Sequence, residues 1–261
     1  MTQRKTRIVA VANQKGGVGK TTTALNLAAG LAELTKRVLL VDMDPQGNAS
    51  TGLGLELDED QATVCEVLLG DADAQATIVR SDGMQLDILP ANGDLTAAEV
   101  ALMDLEDRAS VLKTALEPLK GHYHYIIIDC PPALNVLTLN ALTAADSVLI
   151  PMQCEYYALE GLTALLNTIE QIQSSVNPAL EIEGLVRTMF DIRNNLSGAV
   201  SKQLQEHFGD KVYGTVVPRN VRVAEAPSYG QSVIHYDRES RGAVAYMGLA
   251  GEFLRRGGER F

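Results

Sequence analysis

Cysteine is scarce in this chain of 261 residues. The three present, Cys65, Cys130 and Cys154, are scattered, odd in number and never form a C-x-x-C pair. That argues against a disulfide framework, a structural zinc site or a cluster carrier, and fits a reducing compartment. Long apolar runs are also missing: none approaches the roughly 20 residues needed to cross a bilayer. The basic opening MTQRKTR is followed only by the short IVAVAN, too brief for a secretory signal. Positive charge is the third shortage. Lys and Arg number 22 against 33 Asp and Glu, a net charge of −11, which ordinarily disfavours nucleic acid.

What the chain does have is apolar content. At 46% hydrophobic residues it can form a sizeable core, which excludes disorder. The charge is uneven: residues 1–51 carry +4, residues 52–186 carry −18 and residues 187–261 carry +3. An acidic body with a mildly basic last third leaves room for a local cationic patch.

Short runs rich in Val and Ile alternate with helical periods. Strands are expected at Arg7–Ala12, Arg37–Asp42, Met84–Pro90, Tyr125–Asp129, Ser147–Pro151, Glu183–Phe190 and Lys211–Val217. Helices are expected at Thr21–Leu34, Asp94–Leu119, Asn135–Ala144, Ala158–Ser175 and about Arg241–Arg256. The alternation predicts an α/β fold, a doubly wound and mainly parallel sheet with helices on both faces. A single domain over residues 1–261 is expected. The acidic stretch Gly52–Asp82, with one short helical candidate at Val64–Leu69, reads as a surface insertion.

Directly after the first expected strand comes NQKGGVGKTTT, Asn13–Thr23, and then a helix. Glycines there let successive backbone N–H groups point at one anion, and the helix N-terminus adds partial positive charge. Lys20 can reach β- and γ-phosphates and Thr21 offers a hydroxyl to Mg²⁺. Gln14 stands where the usual G-x-x-x-x-G-K-[ST] pattern has glycine, and a second lysine, Lys15, precedes the glycines. The strand expected at Tyr125–Asp129 ends in IIIDCPP, Ile126–Pro132, whose Asp129 is placed to hold Mg²⁺ through water. Its two prolines stop the strand.

The KGGVGKT form resembles the deviant Walker A motif of the ParA/MinD family of ATPases. QCEYYALEGL (Gln153–Leu162) and the stretch from Val216 to Tyr246 are similar to the short, chromosomal ParA type often called Soj. The likeness covers nearly all of the chain, most weakly at Gly52–Asp82 and the C-terminus. It implies a P-loop ATPase that binds ATP and Mg²⁺ through Lys15, Gly16, Gly17, Val18, Gly19, Lys20, Thr21 and Thr22. Lys15 would cross a nucleotide-sandwich homodimer to the partner's phosphates. VDMDPQGN (Val41–Asn48) would be switch I, with Asp44 positioning the attacking water and Asp42 supporting the loop and the outer metal shell. Pro218 and Asn220 would contact the base.

The same resemblance implies non-specific binding of double-stranded DNA by the ATP dimer through Arg193 and Arg222, with Arg219 a weaker candidate. Hydrolysis stimulated by a ParB-type partner would release the DNA, in a cytoplasmic, nucleoid-associated protein. The phosphate loop begins near residue 14, so no separate N-terminal DNA-binding domain is expected. Three rivals share the scaffold, one of them an iron–sulfur carrier that would need the absent C-x-x-C. A MinD-like membrane-cycling ATPase would need a terminal amphipathic helix, whereas GEFLRRGGERF places Gly257-Gly258 where it would break. A metabolic enzyme would need an acceptor pocket that the sequence does not reveal.

Overall fold

The computed structural model describes residues 5–58, 60–80, 86–156 and 158–259. Eight strands occur among them: β1 (Arg7–Val11), β2 (Val38–Asp42), β3 (Val79–Arg80), β4 (Asp87–Leu89), β5 (Tyr125–Asp129), β6 (Ser147–Gln153), β7 (Glu181–Phe190) and β8 (Val212–Pro218). They form one sheet in the order β3-β4-β2-β5-β1-β6-β7-β8. All pairings are parallel except that of β3, which runs antiparallel to β4 at the edge.

Helices on both faces account for the composition of the central strands. Every residue of β2 and β5 is buried, so both read as continuous apolar runs. Alternate residues serve opposite faces. Ile8, Ala10, Ile126 and Ile128 join one core, shared with helices Val64–Leu69, Leu95–Leu102, Val136–Ala144 and Ala158–Ser175. Val9, Val11, Ile127 and Leu149 join the other, under helices Lys20–Glu33 and Arg241–Arg256. From β1 the chain passes to β2 on one side, while β6 lies on the other side of β1. That reversal opens a crevice at the carboxyl ends of the central strands, where ligands bind in such sheets.

Three expectations are corrected. The single helix expected at Asp94–Leu119 is two, Leu95–Leu102 and Val111–Leu116, followed by a 3₁₀ turn at Glu117–Leu119. The break is held from outside: buried Asn140 donates to the Arg108 carbonyl at 2.6 Å and accepts from the Leu112 amide at 3.1 Å. The stretch Gly52–Asp82 is not wholly a surface insertion. Thr63 and Glu66 form a capping box that starts helix Val64–Leu69, and Val64, Cys65 and Leu68 are buried in the core. The strand expected at Met84–Pro90 is Asp87–Leu89; Met84 and Gln85 lie outside the described residues, as do Glu59, Ser81 and Asp82. Helix Asn195–Phe208 and the edge strand β3 were not anticipated.

Candidate nucleotide site

The loop between β1 and helix Lys20–Glu33 is built on two left-handed residues, Gly17 (φ 72°) and Gly19 (φ 87°), a conformation that a side chain disfavours. A Cβ at Gly16 or Gly17 would meet nothing within 4 Å, so the loop is open on that side. Asn13 braces it: its Nδ2 donates to the Pro151 carbonyl of β6 at 2.8 Å, and its Oδ1 accepts from the Lys15 amide at 3.0 Å. Helix Lys20–Glu33 starts without a side-chain cap. Its first amides, in the turn that carries Thr21 and Thr22, therefore face the loop and suit an anion. Lys20 is 7% exposed and donates to the Lys15 carbonyl at 3.3 Å. Burial pushes its ammonium pKa down, against the opposing pull of Asp129 and Asp44.

The carboxylates stand at the ends of β2 and β5, where Asp42 and Asp129 are direct register partners. Both are fully buried. Neither Asp129 oxygen has a hydrogen-bond partner. Burial, and then the neighbouring charge of Asp42, holds this carboxyl well above the usual range, while Thr21 and Lys20 favour its charged form. Two orphaned, buried carboxylate oxygens beside a threonine and a lysine fit a cation that would satisfy them. Among the described residues no three His, Cys, Asp or Glu side chains converge on one metal position. A cation here would draw most of its ligands from water and phosphate, as Mg²⁺ does.

Asp42 is occupied differently. Its Oδ2 accepts from the Ser50 amide at 2.9 Å and hydroxyl at 2.8 Å, and its Oδ1 from the Asp44 amide at 3.2 Å. Burial raises its pKa to about 6 despite those bonds. Asp42 is thus the brace of the loop that carries Asp44, and Ser50 extends the brace by accepting from the Ala91 amide at 3.0 Å. Asp44 is 8% exposed, and its Oδ1 accepts from the Gln46 amide at 3.0 Å. Cys130 is buried beside Asp129, and burial pushes its thiol far up, so it packs as a neutral side chain.

Lys15 lies outside this buried group. Its Nζ meets Glu155 Oε2 at 2.6 Å, with the two side chains 35% and 47% exposed. Pro218 ends β8, paired with Phe190 of β7. Asn220 caps helix Val221–Glu225, its Oδ1 accepting from the Arg222 and Val223 amides at 2.9 and 3.4 Å. β8 is three strands from β1, roughly 14 Å at about 4.8 Å per strand, so Pro218 and Asn220 stand apart from the phosphate loop along the same edge of the sheet.

Two of the three candidate arginines, Arg193 and Arg222, are paired with carboxylates. Arg193 makes a two-pronged pair with Asp191, Nε to Oδ1 at 3.0 Å and Nη2 to Oδ2 at 2.8 Å. That pairing, with Arg219 adding at longer range, holds Asp191 down at about 2. Arg222 pairs with Glu225 at 2.8 Å and Asp237 at 3.2 Å. Sequence reasoning missed Ser50, Glu155 and Thr188; the last donates to the Val18 carbonyl at 2.7 Å. A groove of about 990 Å³, lined in part by Val100, Met103, Leu134 and Ile172, contains none of the phosphate-loop residues.

A family model described as AAA domain matches residues 6–182. The chromosome partitioning protein ParA of Caulobacter vibrioides (strain NA1000 / CB15N) is 52% identical over 262 residues, covering 100% of this chain and 98% of that protein. The sporulation initiation inhibitor protein Soj of Bacillus subtilis (strain 168) is 53% identical over 251 residues, covering 96% and 99%. Among solved structures, cobyrinic acid a,c-diamide synthase from Mycobacterium smegmatis with bound ADP and magnesium superposes with a TM-score of 0.86 at 42% identity, covering 97% of this chain and 96% of that one.

Proposed function

The chain belongs to the ParA/Soj family of chromosome-partitioning ATPases, and on that premise we propose that it works as a nucleotide-controlled DNA-binding switch. Lys20, the amides of the loop from Gly16 to Thr22 and the Thr21 hydroxyl hold the phosphates of ATP, and Asp129 holds Mg²⁺ through water. Held there by Asp129 and Thr21, a bound cation would supply positive charge to offset the negative charge that develops on the phosphates. Asp44 orients the attacking water, and Asp42 with Ser50 keeps Asp44 in place. Pro218 and Asn220 line the base end of the nucleotide. Lys15 exchanges Glu155 for the phosphates of a second copy, forming an ATP-dependent sandwich homodimer.

The dimer presents Arg193, Arg219 and Arg222 twice over to double-stranded DNA. Contacts to phosphate give affinity without sequence choice and a steep salt dependence. A ParB-type partner raises a slow intrinsic hydrolysis and so frees the DNA, and the cytoplasmic protein is nucleoid-associated only while its ATP dimer persists.

The observation that carries this reading is the contrast between two lysines. Lys20 is buried within the charge field of Asp129, whereas Lys15 is about one-third exposed and held by an exchangeable ion pair to Glu155. A membrane-cycling role has less support. Helix Arg241–Arg256 buries Ala243, Tyr246, Leu249, Ala250, Phe253 and Leu254 in the core, so its apolar face is already covered, and among the described residues no helix is long and apolar enough to cross a membrane.

The test is binding to an arbitrary-sequence duplex with ADP or with ATP and Mg²⁺ across a salt series, wild type beside Asp44→Ala. ATP-only binding that ignores sequence and falls steeply with salt is the expected result. Equal binding, or none, in both nucleotide states would overturn the DNA reading and leave the ATPase assignment standing.

A further inference from the structure

One peptide of the phosphate loop is held by a residue from the far half of the chain. The Val18 carbonyl accepts from the Thr188 hydroxyl at 2.7 Å, and Thr188 is 2% exposed on β7. Val18 lies between the two left-handed glycines, Gly17 and Gly19, with its own side chain 1% exposed. A trans peptide is planar, so the Val18 carbonyl and the Gly19 N–H point in opposite directions. Fixing the carbonyl toward β7 therefore aims the Gly19 N–H away from β7, into the loop. A backbone amide aimed in advance favours an anion more than one that must reorient.

The residues flanking Thr188 give this contact a second consequence. On one side, buried Arg187 is tied to β8 and to helix Asn195–Phe208, donating to the Tyr213 carbonyl at 2.7 Å and the Ser201 hydroxyl at 2.9 Å. On the other, Met189 has φ 48°, a left-handed conformation that a non-glycine residue adopts only where its surroundings impose it. The β7–β8 register shifts across this point, between Arg187 and Phe190. Immediately beyond, the Phe190 carbonyl accepts from the Arg219 amide at 3.3 Å, and Asp191 takes Arg193. The strained residue thus joins the phosphate loop on one side to both arginine-bearing turns on the other.

We propose that Thr188 is a positioning residue that couples the two sites. Its hydroxyl orients the Val18–Gly19 peptide toward phosphate, and through Met189 the same contact sets the turns that carry Arg193 and Arg219. The coupling half rests on the DNA-binding reading above; the positioning half does not.

The experiment compares wild type, Thr188→Val, which keeps the branched shape and loses the hydroxyl, and Thr188→Ser, which keeps the hydroxyl. A fluorescent ATP analogue reads nucleotide affinity, and an arbitrary-sequence duplex reads the ratio of DNA affinities in saturating ATP and ADP. Loss of one buried hydrogen bond should weaken nucleotide binding by about tenfold in Thr188→Val and shrink the ATP-over-ADP ratio even at saturation, with Thr188→Ser retaining both. Met189→Val, whose β-branched side chain disfavours the left-handed backbone of the joint while the hydroxyl stays in place, should keep nucleotide affinity and lower only the ratio.

Wild-type values in Thr188→Val would overturn the proposal. Equal losses in Thr188→Ser and Thr188→Val would also overturn it, by assigning the effect to packing. If wild type binds DNA equally with ADP and ATP, the functional reading and the coupling fail together, and nucleotide affinity still decides whether Thr188 positions the loop.

Discussion

Ser50→Ala is the sharpest test of how the site is braced. Ser50 and Asp42 are 2% and 0% exposed, so water cannot replace the bonds between them. The serine hydroxyl does two things at once. It donates to Asp42 Oδ2 at 2.8 Å and accepts from the Ala91 amide at 3.0 Å. Alanine removes a hydrogen bond to a carboxylate, worth about 1.5–3 kcal/mol, and leaves a buried N–H without an acceptor, costing about 1–3 kcal/mol more. The combined loss should be about 2.5–6 kcal/mol, a large fraction of the roughly 5–15 kcal/mol that a folded domain has.

The assay is equilibrium unfolding in urea at neutral pH without nucleotide. A double-mutant cycle with Asp42→Asn should show a coupling above about 1 kcal/mol, because the two residues share one network. The same change frees the turn that carries Asp44, so ATP turnover should fall more than nucleotide affinity. Stability within about 0.5 kcal/mol of wild type, the level of an ordinary surface change, would refute the argument that Ser50 links β2, helix Asn48–Gly52 and the segment after β4.

Lys15→Ala should bind nucleotide and fail to dimerise with ATP in sedimentation velocity. Glu155→Gln, which removes a part-exposed pair worth about 0–1 kcal/mol, should tighten the ATP dimer up to about fivefold. Arg193→Ala combined with Arg222→Ala should dimerise normally and lose DNA binding with a shallower salt slope in fluorescence anisotropy. Asp191→Asn should raise DNA affinity in both nucleotide states by releasing Arg193. A pH series tests Asp42. Its carboxyl is raised from 3.8 to about 6 in the folded protein, so the native state holds that proton more tightly than the unfolded one. The resulting stabilisation is complete below pH 3.8 and lost as pH rises through about 6. In EDTA, Asp42→Asn should flatten the stability profile between pH 4 and 6.5, and an unchanged slope would contradict the assignment.

Much of the scaffold is readable in the sequence because its physics is local. β2 and β5 are covered on both faces and consist of the runs VLLVD and YIIID. The phosphate loop shows itself because left-handed backbone at residues 17 and 19 calls for glycine. What the sequence hides is relational. Nothing in MDLEDRAS says that the helix must stop there, since the residue that holds the break, Asn140, arrives from another helix. Thr188 looks like one more β-branched residue in a strand until its partner, 170 positions away, is known. Glu155 becomes notable only once Lys15, 140 positions earlier, is seen against it. The last two depend on which strands neighbour which at the carboxyl edge of the sheet.

If this acidic chain binds DNA as proposed, its attraction has to be confined to contact range. At physiological salt, exposed charges are felt over about 8 Å, so the net charge of −11 does not repel a phosphate seated against the arginine turns, while it does weaken long-range encounter. Arg193 and Arg222 are paired with Asp191, Glu225 and Asp237, which leaves little free positive field around one subunit. Exposed pairs of this kind are worth about 0–1 kcal/mol, so exchanging a carboxylate for a DNA phosphate costs little once the phosphate is in place. A single copy should therefore bind DNA weakly. Joining two copies makes the second set of contacts intramolecular and multiplies the affinity without any new residue. On this account the nucleotide controls DNA binding through the number of arginine turns held together, and Lys15, released from Glu155, is the residue that links the count to ATP.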